Sequence, residues 1–433
     1  MGKVTHFFGC GILRGGKLVH EGLWIRDGVV VDPEEVQYTA DVSIDCRGAI
    51  IAPGFIDIKL NGAMGVAFSN PETISEEKMK KVRAFLPYTG VTLFCPTVET
   101  STKEAYGQVL PLLKKCAADP TEGAGILGVH LDGPFISIIG AHKKEAVRDF
   151  GETPGETIKE VYGNDIENVA IVTMAPELAK SSEAIRHFTR LGIKVSLGHS
   201  KADINTAEHA VRDGASMISH LFNAMPDFHH RDPGLVGLVT SDKIPRPLKF
   251  TIISDMYHVH PAALRMAYRI APEALLLCTD GQAPLGLGPG EYDFNGTAVV
   301  VKEVDGRSVC YRAGSPTLYG SVCPLHRAVR NLGEITDCSL PYALEAVTKR
   351  PAEVMGIYPK KGSLEFGADA DIVLLEPGTL NLVATFIAGQ KCADNGLLGE
   401  LQGVPITCEA PEYYSPTLKR TSLPEVPERL HSD

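Results

Sequence analysis

Two histidines, His199 and His220, each end a short apolar run, Lys194–Leu197 and Ala215–Ser219. Between the runs, Asp203 or Asn205 can cap a helix, Ala207, Ala210 and Val211 give it an apolar side, and Gly214 closes it. Strand, helix, strand is a unit whose two strands must run parallel, so both imidazoles arrive at one end of a parallel sheet. That is the end where α/β enzymes place their chemistry, and neutral imidazole is a ligand for zinc and similar ions. Taken singly, each His reads as an ordinary strand-end residue; the matched pair reads equally as two such residues or as part of a metal site, and the rest of the chain decides.

Other polar residues close further apolar runs: Asp57, Lys59 and Asn61; His130 and Asp132; Asp255; Asp280. Two imidazoles and one carboxylate leave a catalytic metal an open position for water, and a second carboxylate can take the proton from that water. Asp132 suits the ligand, because the Gly133-Pro134 turn after it fixes the chain direction. Asp280 suits the base, because it follows the apolar run ALLLCT and belongs at the mouth of a buried strand. His142 lies in a loop, IGAHKKEAV, beyond the Asp132 turn. Asn223, His229, His230, Arg231, His258 and His260 form a local excess of donors, which recognition of a phosphate or carboxylate requires.

The elements that must position these residues are legible as alternation. Residues 1–54 are short, β-branched and broken by Gly, Asp and Pro, which fits a small antiparallel sheet. From Phe55 strands alternate with helices over about 300 residues, a pattern that argues for a (β/α)8 TIM-like barrel, with a doubly wound open sheet as the alternative. No GxGxxG or GxxxxGK[ST] string follows any of these strands. Short strands return after Gly356, so residues 1–54 and 357–394 are expected to form one small β-sandwich domain around a barrel of residues 55–356. Residues 395–433 are Pro-rich and are expected to be a flexible tail.

The chain has 433 residues, with 42 Lys and Arg against 53 Asp and Glu, a net charge of −11. Nothing in that balance suggests a nucleic-acid footprint. The ten Cys are scattered without CxxC pairs, and Cys46, Cys95, Cys278 and Cys310 lie in or beside apolar runs, the usage of buried free thiols. There is no run of about 18 apolar residues, so no membrane span is expected. A cytoplasmic protein is the expectation.

Read together, APGFIDIKLNG, HLDGPFIS with GAH soon after, SLGHS, HLFNAM with HHRDPG, CTDG with LGLG, and KGSLEFGADADIVLL resemble the N-acetylglucosamine-6-phosphate deacetylase family of the amidohydrolase superfamily. The likeness runs from about residue 5 to residue 393. It implies the barrel with a β-sandwich from both termini, a homodimer, and a small-molecule sugar phosphate as substrate. It implies one divalent metal ion per subunit, zinc first, with iron, manganese or cobalt as alternatives, held by Asp132, His199 and His220. It implies Asp280 as catalytic acid and base, His142 as a group that orients or polarises the acetamide carbonyl, and Asn61, Asn223, Ala224, Arg231 and His258 as sugar- and phosphate-binding residues. The chain departs from the family's strings at five places. Asp132 stands for Glu, Lys59 for Gln or His, Ala67 for an acidic residue, Met256 for Gly and Tyr319 for a small residue. These departures keep two alternatives in view: an amidohydrolase with an altered substrate, and a non-catalytic sugar-phosphate-binding relative.

Overall fold

The computed structural model describes residues 2–396 except 141, 246, 295, 296 and 305. The expected tail lies outside the described residues from position 397 onward.

Eight strands form the barrel: Phe55–Leu60, Val91–Glu99, Val129–Asp132, Val169–Met174, Lys194–Leu197, Met217–Ile218, Lys249–Ile252 and Leu275–Leu277. Each pairs in parallel with the next. Such strands are buried on both faces and so are rich in apolar residues, as Phe94, Val172 and Leu276 illustrate at 0% exposure. The first and last strands close the ring by main-chain hydrogen bonds at the carboxyl end. Asp280 N donates to Lys59 O (2.9 Å), and Asn61 N donates to Gly281 O (2.7 Å). The seam of the barrel therefore joins Lys59 to Asp280 directly.

The flanking helices begin where the sequence places capping side chains. Ser75 accepts from Lys78 N ahead of Glu76–Phe85, and Asp203 accepts from Thr206 N ahead of Ile204–Asp213. The latter helix buries Ala207, Ala210 and Val211 and ends at Gly214, which completes the strand–helix–strand unit between the two histidines.

Both chain ends meet in a second body. Ile50–Pro53 pairs antiparallel with Ile372–Leu375, inside a six-stranded sheet that also holds Gly11–Arg14 and Leu382–Ile387. A four-stranded sheet containing Val4–Phe8 packs with it through Phe7, Ile12, Leu23, Ile51, Leu374 and Phe386. This is the sandwich expected from the termini.

Three stretches add detail to the alternation of strands and helices. The run KEAYGQVLPLLKKCA is α-helical only over Lys103–Val109, because Pro111 has no N–H to continue the ladder, and the chain tightens into a 3-10 turn at Leu110–Leu112. SLPYALEAVTKRPAEVMG is two helices, Leu340–Glu345 and Lys349–Met355, with the break at Thr348. Between the eighth strand and Leu325–Thr336 lies a three-stranded antiparallel sheet that sequence reading left unassigned: Gly290–Phe294, Thr297–Val304 and Arg307–Arg312. Val299, Val301, Val309 and Cys310 are its buried side chains, and Tyr319 packs against the cluster of Val299, Val301 and Cys310.

Leu374 is 0% exposed between the two sheets of the sandwich. Leu374→Ala is expected to lower unfolding free energy by about 2–4 kcal/mol through lost burial and the cavity left behind. Urea unfolding checks this, and a loss below about 1 kcal/mol would show that the sandwich core repacks freely.

Candidate functional site

The parallel register sets the site. Glu99, Asp132 and Thr173 are aligned across the second, third and fourth strands, and Thr173 aligns with Ser196 on the fifth. Below this level the barrel interior is polar but satisfied. His130 places Nδ1 2.8 Å from Ile58 O and Nε2 2.7 Å from the Thr173 hydroxyl. The Thr173 and Ser196 hydroxyls both bond to Ser219 Oγ at 2.7 Å. His130 is thus a core histidine, held near pKa 4 by burial, with Lys59 adding to the effect.

His199 and His220 lie one step further out. His199 Nδ1 is 3.2 Å from Ile139 O, and His220 Nδ1 is 3.1 Å from Asn223 O. A carbonyl oxygen can only accept, so both Nδ1 atoms carry a proton, and each Nε2 faces the shared space, where it is a ligand atom whenever its ring is neutral. Those two Nε2 atoms are 2.9 Å apart, and His142 Nε2 is 3.0 Å from that of His199. Lone pairs facing each other at this distance repel unless a cation lies among them. Burial keeps His220 and His142 neutral, each lowered to about 3, with His199 adding to both shifts.

Asp132 completes the cluster. Its Oδ2 is 3.5 Å from His199 Nε2, and its Oδ1 is buried without a hydrogen-bond partner. The turn after it is fixed by the hydroxyls of Tyr106 and Tyr162, which donate to Gly133 O at 3.2 and 2.8 Å. Ligand atoms of Asp132, His142 and His199 all fall within 4.8 Å of one another. His220 joins through His199, and the donor set of imidazoles plus a carboxylate fits a divalent ion of the zinc type.

Asp280 faces this cluster from the barrel seam. Its Oδ1 accepts from Lys59 Nζ (2.6 Å) and Asn61 Nδ2 (2.8 Å), and its side chain keeps 18% exposure. Lys59 Nζ is also 2.9 Å from Asp132 Oδ2. Burial works against the Lys59 charge, but the two carboxylates outweigh it and raise its pKa above the ordinary Lys range. Burial likewise works against the charge on Asp132 and Asp280, and Lys59, joined by His199 at Asp132 and by His220 at Asp280, more than reverses it, so both stay ionised. Asp57, beneath, accepts from the Thr279 hydroxyl at 2.5 Å and ties the first strand to the residue before Asp280. His199, His220 and Asp280 all take left-handed backbone, with φ of 47°, 33° and 48°. Such conformations cost on the order of 1–3 kcal/mol each in non-glycine residues and gather at functional sites.

The amidohydrolase family pattern matches residues 50–399 of the chain. The chain belongs to the amidohydrolase family. It is 48% identical over 396 residues to an N-acetylglucosamine-6-phosphate deacetylase from Bos taurus, covering 89% of this chain and 95% of that one. The Bacillus subtilis enzyme of the same name is 33% identical over 353 residues, covering 79% and 83%. Among solved structures, the Pasteurella multocida deacetylase superposes with a TM-score of 0.78 at 27% identity, covering 90% of this chain and all of that one. A mutant of the Mycobacterium smegmatis deacetylase in complex with N-acetyl-D-glucosamine-6-phosphate superposes with a TM-score of 0.74, also at 27% identity, covering 90% and 99%. Amidohydrolases are metal-dependent, in keeping with the cluster described.

In this amidohydrolase the remaining candidates are placed unevenly. Asn223 and Ala224 lie beside the histidines: Ala224 O accepts from Ser200 N, and Asn223 Nδ2 is buried without a partner. Gly140, at φ 85°, lets the Ile139–Gly140 backbone approach, since a Cβ there would lie 2.9 Å from Ala224 Cβ and 3.2 Å from His199 Nδ1. His258 is half-buried and held by Asp255 Oδ2 at 2.5 Å. Arg231 is exposed, its guanidinium 3.2 Å from His230 Nε2 and its N–H donating to His229 Nδ1 at 3.4 Å, so the donor-rich loop bonds within itself and not to the cluster. Met256 takes φ 77°, the conformation for which the family's strings carry Gly. Sequence reading missed Glu99, whose carboxyl is raised by burial and accepts from Gln282 Nε2 at 3.1 Å. Its signal was its position, a carboxylate at the end of VTLFCPTVE, level with Asp132.

Four buried histidines, His130, His142, His220 and His326, are lowered to about 4, 3, 3 and 3, each first by burial. Unfolded, each takes up a proton near 6.5. The metal-free chain therefore loses stability as pH falls below 6.5. Asp57, raised to about 7 by burial, and Glu99, also raised, oppose the loss, being protonated in the folded state first. The net expectation is a decline of about 2–3 kcal/mol per pH unit between 6.5 and 5. Urea unfolding of chelator-treated protein measures it, and equal or greater stability at pH 5.5 contradicts the neutral-histidine cluster.

Proposed function

We propose that the chain hydrolyses the acetamide of N-acetylglucosamine 6-phosphate to glucosamine 6-phosphate and acetate, a step of amino-sugar catabolism. The observation that carries this is the meeting of a neutral-imidazole and carboxylate cluster with Asp280 at the barrel seam, in a chain 48% identical to a deacetylase of that name. Asp132, His199 and His220 would hold one divalent ion, zinc first, with iron, manganese and cobalt suited by the same donors. When bound, such an ion supplies a water of lowered pKa and polarises the amide carbonyl.

The chain's own residues would do the rest. Asp280 takes a proton from the attacking water and passes it to the amine nitrogen, which leaves poorly unless protonated. His142 supports the developing oxyanion from the cluster's edge. Asn61 holds Asp280 and borders the sugar, beside Asn223 and Ala224. His258, steadied by Asp255, and Arg231 grip the phosphate. The exposure of Arg231 supports a homodimer, in which a second copy closes the phosphate end. We assign residues 1–54 and 357–394 to the sandwich and 55–356 to the barrel. No helix among the described residues is long and apolar enough to cross a membrane, and we place the protein in the cytoplasm.

A second reading, a relative that binds the sugar phosphate without cleaving it, is favoured by Lys59, which engages Asp280 and Asp132 together. Acetate release from N-acetylglucosamine 6-phosphate with added zinc, iron, manganese or cobalt separates the two. Turnover that a chelator abolishes and that Asp280→Asn lowers by about 10²–10⁴-fold is expected, with KM changed far less. Binding without acetate release would establish the second reading, and an Asp280→Asn chain as active as its parent would remove Asp280 from the chemistry.

A further inference from the structure

Lys59 occupies the middle of the candidate metal centre as a cation in its own right. Its side chain is 2% exposed, with Nζ 2.9 Å from Asp132 Oδ2 and 2.6 Å from Asp280 Oδ1. The placement follows from strand alternation, because Asp57 and Lys59 share the inward face of the first strand. The same Asp132 oxygen that meets Lys59 is the one 3.5 Å from His199 Nε2. Lys59 and an ion held by His199 would therefore draw on one carboxylate oxygen.

We propose that the Lys59 ammonium is a resident counter-cation, which keeps the ligand set assembled in the metal-free chain and competes with the incoming ion for Asp132. The inference rests on the reading of Asp132, His199 and His220 as the metal ligands. Without Lys59, two nearly sealed carboxylates would face each other with no positive charge between them, a strongly unfavourable arrangement. With Lys59, the centre is preassembled, and a divalent ion must enter beside a positive charge. The two effects have opposite signs, and a merely structural lysine would produce only the first.

The test compares the chelator-treated parent with Lys59→Met, Lys59→Gln and Lys59→Arg, by thermal melting and by zinc affinity in competition with a chromogenic chelator. Lys59→Met removes the charge at similar volume, Lys59→Gln keeps one donor as the milder variant, and Lys59→Arg retains the charge. The expected result is a metal-free melting temperature lower by several degrees in Lys59→Met and Lys59→Gln, zinc binding tighter by about tenfold or more in both, and recovery of the metal-free melting temperature once zinc is added. Lys59→Arg should stay near the parent in both readouts. If Lys59→Met does not fold, Lys59→Gln decides. A parent that binds zinc, with variants that bind it equally or more weakly, overturns the inference and leaves the metal reading standing. Unchanged metal-free melting in both neutral variants overturns it as well. A parent that binds no zinc, iron, manganese or cobalt overturns the metal reading and the inference together.

Discussion

Lys59 Nζ lies within 3 Å of two carboxylates, Asp132 and Asp280, at a place that solvent hardly reaches. Removing three charges from water is costly, and only close mutual compensation makes it tolerable. The barrel provides that compensation by geometry. Its seam bonds Asp280 N to Lys59 O, so the ammonium and one carboxylate are delivered by hydrogen-bonded neighbours. Asp132 is brought to the same level through the register of the second and third strands. Most of what surrounds the three residues can be understood as support for this arrangement.

That support has two parts. Asp57 and Thr279 tie the first strand to the eighth just below the charged level, and His130, Thr173, Ser196 and Ser219 fill the interior with bonded polar groups. A floor of this kind leaves few polar atoms unsatisfied, and the exceptions stand out. Asp132 Oδ1, His142 Nδ1, Asn61 Oδ1 and Asn223 Nδ2 are buried and unpartnered, and each belongs to the cluster or to a residue bonded to it. Together with three left-handed residues at His199, His220 and Asp280, they mark where stability is given up for chemistry.

Much of this was legible in the sequence because it is local. The unit from Lys194 to His220 shows its cap, its apolar side and its closing glycine in consecutive residues, and the structure builds it as read. Asp280 could be placed because an apolar run leads into it. The contacts between Lys59 and Asp280, separated by 221 residues, depend on barrel closure, which no periodicity encodes. Glu99 escaped because Pro96 and Thr97 interrupt the apolar run before its strand ends. The sheet from Gly290 to Arg312 escaped because its alternation is weak, with only Val299, Val301, Val309 and Cys310 buried along three strands. Arg231 shows the remaining limit, since within one chain it is an exposed loop residue like any other.

The claim at the centre of the account is that the two imidazoles fixed by Ile139 O and Asn223 O, with Asp132, hold a metal ion. X-ray absorption spectroscopy of the zinc-loaded protein addresses it most directly. The account predicts nitrogen and oxygen ligation with the outer-shell scattering of imidazole, reduced in amplitude when His220 is replaced by Asn. A spectrum without imidazole scattering, or one that His199→Asn and His220→Asn both leave unchanged, would contradict it.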